Sequence, residues 1–224
     1  MTVRTAVVVP VHRNAATLAE LVARLSTALH DREWSVLLVV DASPDDSAEV
    51  AGALAAADPR VGVLELERNV GQHRALALGL AASPGAQAWV CLDADLQDPP
   101  EAVPALLDRL AAGRVEAVFA GRRGAYEGPL RLATGRAHRA LLARLTGLPP
   151  DAGAFLALGP RARDAVLAAQ APSLVAAVGA ARLPVTSLPV RRDARERGTS
   201  SWTTRARLRQ SVRTLAWAAR HRSR

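Results

Sequence analysis

The chain has 224 residues, half of them apolar, which is enough for one large domain with a sizeable core. No apolar run is long enough to cross a bilayer as a helix. The single cysteine, Cys91, excludes an internal disulfide and a thiolate zinc cage, and it fits a reducing, cytoplasmic location. The net charge of +8 is unevenly divided: residues 1–120 hold nine arginines and sixteen acidic residues, whereas residues 121–224 hold twenty arginines and five acidic residues. A basic half without lysine favours an anionic partner, either a phosphate, a lipid surface or a nucleic acid.

Strand and helix patterns alternate through the first half. Short apolar runs predict strands, and apolar residues at helical spacing predict helices between them. The predicted order is strand Thr5–Val9, helix Ala15–Leu29, strand Val36–Val40, helix Asp46–Ala57, strand Val61–Leu66, helix Gln72–Ala82, strand Ala88–Leu92, helix Glu101–Ala111 and strand Val115–Ala120. This alternation predicts an α/β fold with a mostly parallel central sheet flanked by helices. Ligands of such sheets bind at the carboxyl ends of the strands, where each predicted strand is followed by a polar segment.

The pattern of the second half is looser and strongly basic. The predicted elements are helix Leu130–Leu145, strand Ala152–Leu158, helix Pro160–Ala169, strand Leu183–Val190, an arginine-rich loop over Arg191–Trp202 and helix Thr203–His221. The last helix places Leu208, Val212, Leu215 and Ala219 on one stripe. It either packs on the domain with its arginines in solvent or lies on a membrane surface, and the sequence leaves both readings open.

The segment after the fourth predicted strand, LDADLQDPPE, holds three carboxylates within six residues. Asp93 and Asp95 can turn towards one point of an extended chain, and Gln97 adds a neutral oxygen. A few hard oxygen ligands favour Mg²⁺ or Mn²⁺ that carries substrate phosphates. The alternative is a solvated acidic turn in which Asp98 caps the next helix. A dinucleotide fold and a P-loop enzyme lose support because neither glycine-rich signature occurs.

Five motifs together resemble the family 2 glycosyltransferases, and among them the polyprenyl-phosphate sugar transferases that include dolichyl-phosphate mannose synthase. In chain order they are VVVPVHRN from Val7, VDASPDDS from Val40, RNVGQHRALALGL from Arg68, DADLQDPPE from Asp93 and RERGTS from Arg195. The resemblance runs from about Val7 to Trp202. It implies a GT-A type nucleotide-sugar-binding fold, with a nucleotide-sugar half over residues 1–121, an acceptor half over residues 122–202 and a basic helix over residues 203–224.

The same resemblance implies roles for particular residues. Pro10, Val11 and Asp41 would lie against the nucleotide; Asp93, Asp95 and Gln97 would hold the metal; Arg122 and Arg131 would meet the acceptor phosphate; Arg195 would face the donor diphosphate; and Ser200 would close that loop. Catalysis is assigned to Asp95 and the three arginines. The chain departs from the family pattern at Val40 and at His12-Arg13-Asn14, which leaves the nucleotide base open.

The implied reaction is an inverting transfer of a hexose from UDP- or GDP-hexose to polyprenyl phosphate, at the inner face of the membrane. A phosphate acceptor is largely ionised at neutral pH and needs positioning rather than a general base, which suits a half with five acidic residues. A soluble sugar or metabolite is the alternative acceptor, because Ala154 stands where many relatives have an acid. A nucleic-acid-binding module would use the basic half, but only 3% of the residues are aromatic. A silent sugar-nucleotide-binding relative is a further alternative.

Overall fold

Alternating strands and helices, as predicted, make up a computed structural model that describes residues 4–123, 139–192 and 204–221. The strands are β1 (Thr5–Val11), β2 (Trp34–Asp41), β3 (Val61–Leu66), β4 (Ala88–Cys91), β5 (Ala117–Arg123), β6 (Leu156–Leu158) and β7 (Val185–Arg191). The helices are α1 (Ala15–Ala28), α2 (Ser47–Ala57), α3 (Gln72–Ala81), α4 (Val103–Ala111), α5 (Pro160–Ala169), α6 (Leu174–Ala180) and α7 (Thr204–Arg220). A 3₁₀ turn at Pro100–Ala102 leads into α4, and residues 139–146 are also helical.

The described strands form one mostly parallel sheet in the order β3-β2-β1-β4-β6-β5-β7. Strands β1 to β4 run parallel to one another, and β5 runs parallel to β7. The short strand β6 is antiparallel to both β4 and β5. Its pairing places Cys91, Leu156, Phe119 and Ser187 in one row across four strands. The segments that follow β4 and β5 therefore leave the sheet at the same edge.

Both faces of the sheet are covered, which explains the nearly continuous apolar character of its central strands. Successive residues of β1 alternate between two core clusters: Val7 and Val9 belong to one, and Ala6 and Val8 to the other. Helices α1 and α4 pack on the first face, whereas α3, α5 and α6 pack on the second. This two-sided burial fixes the register of the strands and hence the positions of the loops at their ends.

Two elements of the second half differ from the prediction: strand β6 is shorter than the predicted Ala152–Leu158, and one helix was not predicted. The segment Leu174–Ala180 forms helix α6, which was not predicted, and six of its residues are buried. A helix that is apolar all round lacks the polar face on which helical periodicity depends. On the closing helix, Leu208 and Val212 of the apolar stripe are 66% and 59% exposed, whereas Leu215 of the same stripe packs against the second core cluster. Across the three described ranges, no helix is long and apolar enough to span a lipid bilayer.

Candidate functional site

Strained backbone marks the carboxyl edge of the sheet. Arg13, Ala42 and Leu96 have positive φ angles of 61°, 44° and 59°, and they follow β1, β2 and β4. A side chain in this left-handed region costs about 1–2 kcal/mol. Such residues concentrate at functional sites, where the surrounding structure holds them in place. The loops after these three neighbouring strands are therefore where a ligand is expected.

The carboxylate of Asp41, at the end of β2, organises the loop that leads into α3. Its two oxygens accept the backbone N–H groups of Val70 and Gly71 at 2.7 and 2.8 Å. The Asn69 side chain donates to the backbone oxygen of Asp41 at 3.2 Å. Asp41 is 3% exposed. A residue expected beside the nucleotide therefore shapes the loop, with its oxygens turned towards protein N–H groups.

His12 joins the same loops from the end of β1. Its Nδ1 atom lies 3.1 Å from the backbone oxygen of Asp41 and 3.2 Å from Nδ2 of Asn69. Its backbone N–H donates to Asn14 Oδ1 at 3.0 Å. His12 and Asn69 thus bind the loops after β1, β2 and β3 to one another.

Asp45 ties the loop after β2 to the start of α1. It accepts the hydroxyls of Ser43 and Ser47 at 2.6 Å each, and the backbone N–H groups of Ser47 and Ala15 at 3.3 Å. Burial raises the pKa of this carboxyl, but the hydrogen bonds from Ser43, Ser47 and Ala15 outweigh it and lower the pKa to about 2. Asp46, by contrast, is exposed and makes no side-chain capping bond to α2. Asp45, rather than Asp46, therefore accepts a backbone N–H at the start of α2.

The predicted metal ligands lie on the loop after β4. Asp93 accepts the side-chain amide of Gln72 through Oδ1, and Asp95 Oδ1 accepts the backbone N–H of Gln97 at 3.2 Å. Asp93 and Asp95 are partly exposed, whereas Gln97 is buried. Thr17 anchors the loop from α1 by donating to the backbone oxygen of Ala94 at 2.6 Å. Two carboxylates from one loop thus reach the edge where the other polar loops meet.

This donor set fits a Mg²⁺ or Mn²⁺ ion that is completed by substrate. Within the residues that the structure describes, no three His, Cys, Asp or Glu side chains converge as a preformed metal cage. Ions held with nucleotide phosphates typically take one or two protein carboxylates and fill their remaining positions with phosphate oxygens and water. Asp93 and Asp95 would supply that minimal pair, and the side chain of Asp93 is 20% exposed.

Arg192, just after β7, is a site residue that the sequence did not single out. Its Nη2 atom lies 3.5 Å from Asp93 Oδ2, and its Nε atom lies 3.0 Å from Asp98 Oδ1. The side chains of Arg192 and Asp98 are 8% and 3% exposed. Asp98 therefore does not cap the next helix: it forms a buried ion pair, and the 3₁₀ turn starts from Pro99. The sequence signal was the arginine pair at the carboxyl end of the last strand.

Several predicted site residues are described only in part or not at all. Arg131, Arg195 and Ser200 lie outside the described residues. For Arg122 the structure gives the backbone, which pairs with Val190 of β7. The side chain of Val11 is fully buried in the core, so any contact of Val11 with a nucleotide would have to come from its backbone. Pro10, the preceding residue of β1, is half-buried.

A groove of about 710 Å³ lies between α3, α5, α6 and α7. It begins at Gly71 and Gln72 at the start of α3, and Gln72 is the residue that contacts Asp93. The far wall is helix α7, which contributes Gln210, Arg213, Trp217 and Arg220. Helix α7 is held there because Gln210 donates to the backbone oxygen of Pro172. Through Gln72, one lining residue of the groove contacts the carboxylate loop, and four others belong to the basic closing helix.

Comparison with known sequences identifies relatives for most of the chain. Residues 6–159 match the family model described as glycosyl transferase family 2. The undecaprenyl-phosphate 4-deoxy-4-formamido-L-arabinose transferase of Salmonella typhimurium is 34% identical over 147 residues, which are 64% of this chain and 44% of that protein. The enzyme of the same name from Sodalis glossinidius is 37% identical over 147 residues. The match spans less than half the length of these curated relatives.

Solved structures confirm the fold as GT-A type. Glucosyl-3-phosphoglycerate synthase from Mycobacterium tuberculosis, solved with Mn²⁺, UDP and phosphoglyceric acid, superposes with a TM-score of 0.73 at 19% identity, covering 99% of this chain and 79% of that one. Mannosyl-3-phosphoglycerate synthase from Rubrobacter xylanophilus gives a TM-score of 0.70 at 17% identity, covering 97% and 73%. The matching family model, the arrangement of the sheet and the carboxylate loop after β4 lead to one conclusion: the chain belongs to glycosyl transferase family 2.

Proposed function

We propose that this protein transfers a hexose from a nucleoside-diphosphate sugar to polyprenyl phosphate, with Mg²⁺ or Mn²⁺ as its cofactor. The observation that carries the proposal is the partly exposed pair Asp93 and Asp95 at the carboxyl edge of the sheet, with the buried cation Arg192 beside it. The names of the curated relatives, which are undecaprenyl-phosphate sugar transferases, support this acceptor class.

The chemistry requires charge neutralisation more than proton transfer. Breaking the bond between sugar and diphosphate leaves extra negative charge on the departing nucleotide, and a divalent ion held by Asp93 and Asp95 would supply much of the neutralisation. Arg192 supplies a fixed positive charge at the same edge, and Arg195 is proposed to face the donor diphosphate. The acceptor phosphate is mostly ionised at neutral pH, because its second pKa is about 6. Arg122 and Arg131 are proposed to position the acceptor phosphate so that one of its oxygens attacks the anomeric carbon of the sugar. This single displacement inverts the anomeric centre.

The groove between α3 and α7 offers a path for an elongated acceptor. Gln72, which contacts Asp93, and Trp217 of α7 both line it. Arg74 and Arg213 line it together with the apolar side chains of α5 and α6. A mixed apolar and basic lining suits an amphipathic, phosphate-bearing molecule rather than a compact sugar.

Helix α7 is proposed to lie against an anionic membrane surface. Leu208 and Val212 are exposed one turn apart, and Arg209 and Arg213 are exposed next to them. The sequence of α7 contains no acidic residue. Exposed apolar side chains flanked by arginines are typical of helices that bind at the lipid interface. Such contact would bring the groove to the surface that holds a lipid-linked acceptor.

The enzyme assay incubates the purified chain with UDP- or GDP-hexoses, polyprenyl phosphate and Mn²⁺ or Mg²⁺, and measures glycolipid formation. We expect transfer that requires the metal and falls by about 100-fold or more in Asp95→Ala, because the charge of the departing nucleotide loses its stabilisation. Asp46→Ala is the matched control, since it removes an exposed carboxylate from the same edge. The proposal fails if no donor is turned over, or if Asp95→Ala is as active as Asp46→Ala.

A soluble acceptor is the second candidate function. The superposed glucosyl-3-phosphoglycerate synthase is described with phosphoglyceric acid bound, and its fold covers 99% of this chain. The same assay separates the two candidates when phosphoglyceric acid replaces the lipid phosphate. Turnover with phosphoglyceric acid and none with polyprenyl phosphate would support the soluble acceptor.

The membrane contact is tested separately by co-sedimentation with vesicles of phosphatidylglycerol or phosphatidylcholine. We expect binding to the anionic vesicles only, and loss of binding when Leu208 and Val212 are both replaced by Glu. The control variant replaces Ala53 and Ala56, which are exposed on α2, by Glu as well. It therefore introduces the same charge elsewhere on the surface. Equal binding of both double variants would exclude α7 as the contact surface.

A further inference from the structure

The acidic loop after β4 already contains a cation of the protein itself. Arg192 contacts two of its carboxylates: Nε lies 3.0 Å from Asp98 Oδ1, and Nη2 lies 3.5 Å from Asp93 Oδ2. The two contacts differ in kind. Asp98 is buried at 3% exposure and forms the closer pair, whereas Asp93 is 20% exposed and forms the longer one. The guanidinium is therefore anchored on Asp98 and extends one N–H group towards Asp93.

Both oxygens of Asp93 are engaged by side chains of the protein. Gln72 donates to Oδ1, and Arg192 donates to Oδ2. A divalent cation that ligates Asp93 would come close to a guanidinium of the same sign, and the two repel each other. The neutral amide of Gln72 presents no such conflict. Arg192 and a metal ion therefore compete for Asp93, while the buried pair with Asp98 can remain intact.

We infer that Arg192 is a positioning residue that exchanges partners during donor binding. This inference rests on the proposed function. Before the donor binds, Arg192 neutralises Asp93 and weakens the binding of a metal ion alone. When a metal ion arrives with a nucleoside diphosphate, Asp93 turns to the metal, and the released N–H group of Arg192 donates to a phosphate oxygen. Metal and diphosphate then bind cooperatively. The metal replaces Arg192 as the partner of Asp93, and the diphosphate gives Arg192 a new acceptor.

The exchange gives the protein a preference for the complete donor complex. A metal ion by itself must overcome the resident guanidinium, and a diphosphate by itself finds that guanidinium directed at Asp93. Arginine suits this role because its planar group can keep its charge paired with Asp98 while it directs an N–H group elsewhere.

The test measures the Kd of Mn²⁺ by calorimetry, without nucleotide and with saturating UDP or GDP. The ratio of the two Kd values is the coupling between metal and diphosphate. In Arg192→Gln we expect Mn²⁺ alone to bind about tenfold more tightly, and the coupling to fall about tenfold, which corresponds to about 1.4 kcal/mol. Arg191→Gln is the matched control, because Arg191 is the exposed neighbour at the end of the same strand, and it should retain both values.

A second variant separates this role from a structural one. Arg192→Gln leaves Asp98 as a buried carboxylate, and an uncompensated buried charge destabilises the fold. The double variant Arg192→Gln/Asp98→Asn removes that charge, so it should melt closer to the wild type and keep the altered Mn²⁺ affinity and coupling. Wild-type values of both in the double variant would overturn the inference and leave the proposed function standing. A wild-type protein that binds no Mn²⁺ with either nucleotide would overturn both.

Discussion

Replacing Asp41 by Asn tests whether this carboxylate serves the protein or the ligand. The substitution keeps the size of the side chain but removes its charge and turns one acceptor oxygen into an NH₂ donor. In the wild type both oxygens accept backbone N–H groups, from Val70 at 2.7 Å and from Gly71 at 2.8 Å. One of these N–H groups would face another donor in Asp41→Asn, within a site that is 3% exposed.

The expected loss follows from these two bonds. Hydrogen bonds to a charged group contribute about 1.5–3 kcal/mol each. One is lost and the other becomes a weaker neutral bond, so we expect the free energy of unfolding to fall by about 3 kcal/mol. For a chain of this size about 1 kcal/mol shifts the melting temperature by roughly 2–4 °C, which gives a decrease of about 10 °C. The loop that begins α3 would loosen with it.

The assay is urea and thermal unfolding of the ligand-free protein, followed by circular dichroism. Asp46→Asn is the control, because it removes a charge from an exposed side chain without a capping bond, and its stability should stay within about 0.5 kcal/mol of the wild type. If Asp41→Asn were as stable as this control without nucleotide, the carboxylate would not organise the loop and the reasoning would be refuted.

Three other predictions concern packing, pH and reactivity. Gly79→Ala should destabilise the fold by about 1–3 kcal/mol, because the new methyl group would lie 2.8 Å from Val39 and closer still to Val8. Gly52→Ala has nothing within 4 Å of the new methyl group and should stabilise the fold by about 0.5–1 kcal/mol. Urea unfolding measures both changes. The pKa of Asp45 is about 2 in the folded protein and 3.8 in the unfolded chain. Its contribution of about 1–2 kcal/mol to the free energy of unfolding is therefore present above pH 3.8 and disappears as the pH falls towards 2. The difference in stability between wild type and Asp45→Asn should vanish over that range, and a constant difference would contradict the assignment. Cys91, whose pKa is raised by burial, should react with a thiol reagent only after unfolding, and rapid labelling of the native protein would show that the strand is open.

The sequence predicted several elements of the fold closely because their signals are local. Strand β3 at Val61–Leu66 and helix α5 at Pro160–Ala169 were predicted with their observed bounds. Each is bounded by a proline or a charged residue that ends the apolar pattern. Helix α6 was missed because its residues, LVAAVGA, offer no polar face, and burial on every side is a property of its neighbours rather than of its own sequence.

The candidate site divides in the same way. The carboxylate pair Asp93 and Asp95 was predicted, because their spacing and their place after a strand are visible in ten residues. Arg192 was not, since its partner Asp93 is 99 residues away along the chain and the two meet only when β7 and β4 are in one sheet. The hydrogen bonds of Asp41 to Val70 and Gly71 likewise join loops that are about 30 residues apart.

What the sequence determined by itself is the alternation of elements, the family and the loop that carries the carboxylates, because apolar periodicity, turn residues and motif spacing act over a few neighbouring positions. What only the tertiary structure decided is which charges face one another. The contacts of Arg192 with Asp93 and Asp98, the exposure of Leu208 and Val212 on α7 and the groove that α7 lines all depend on packing between distant segments. Coulomb and packing energies follow distance in space, which the order of residues does not specify.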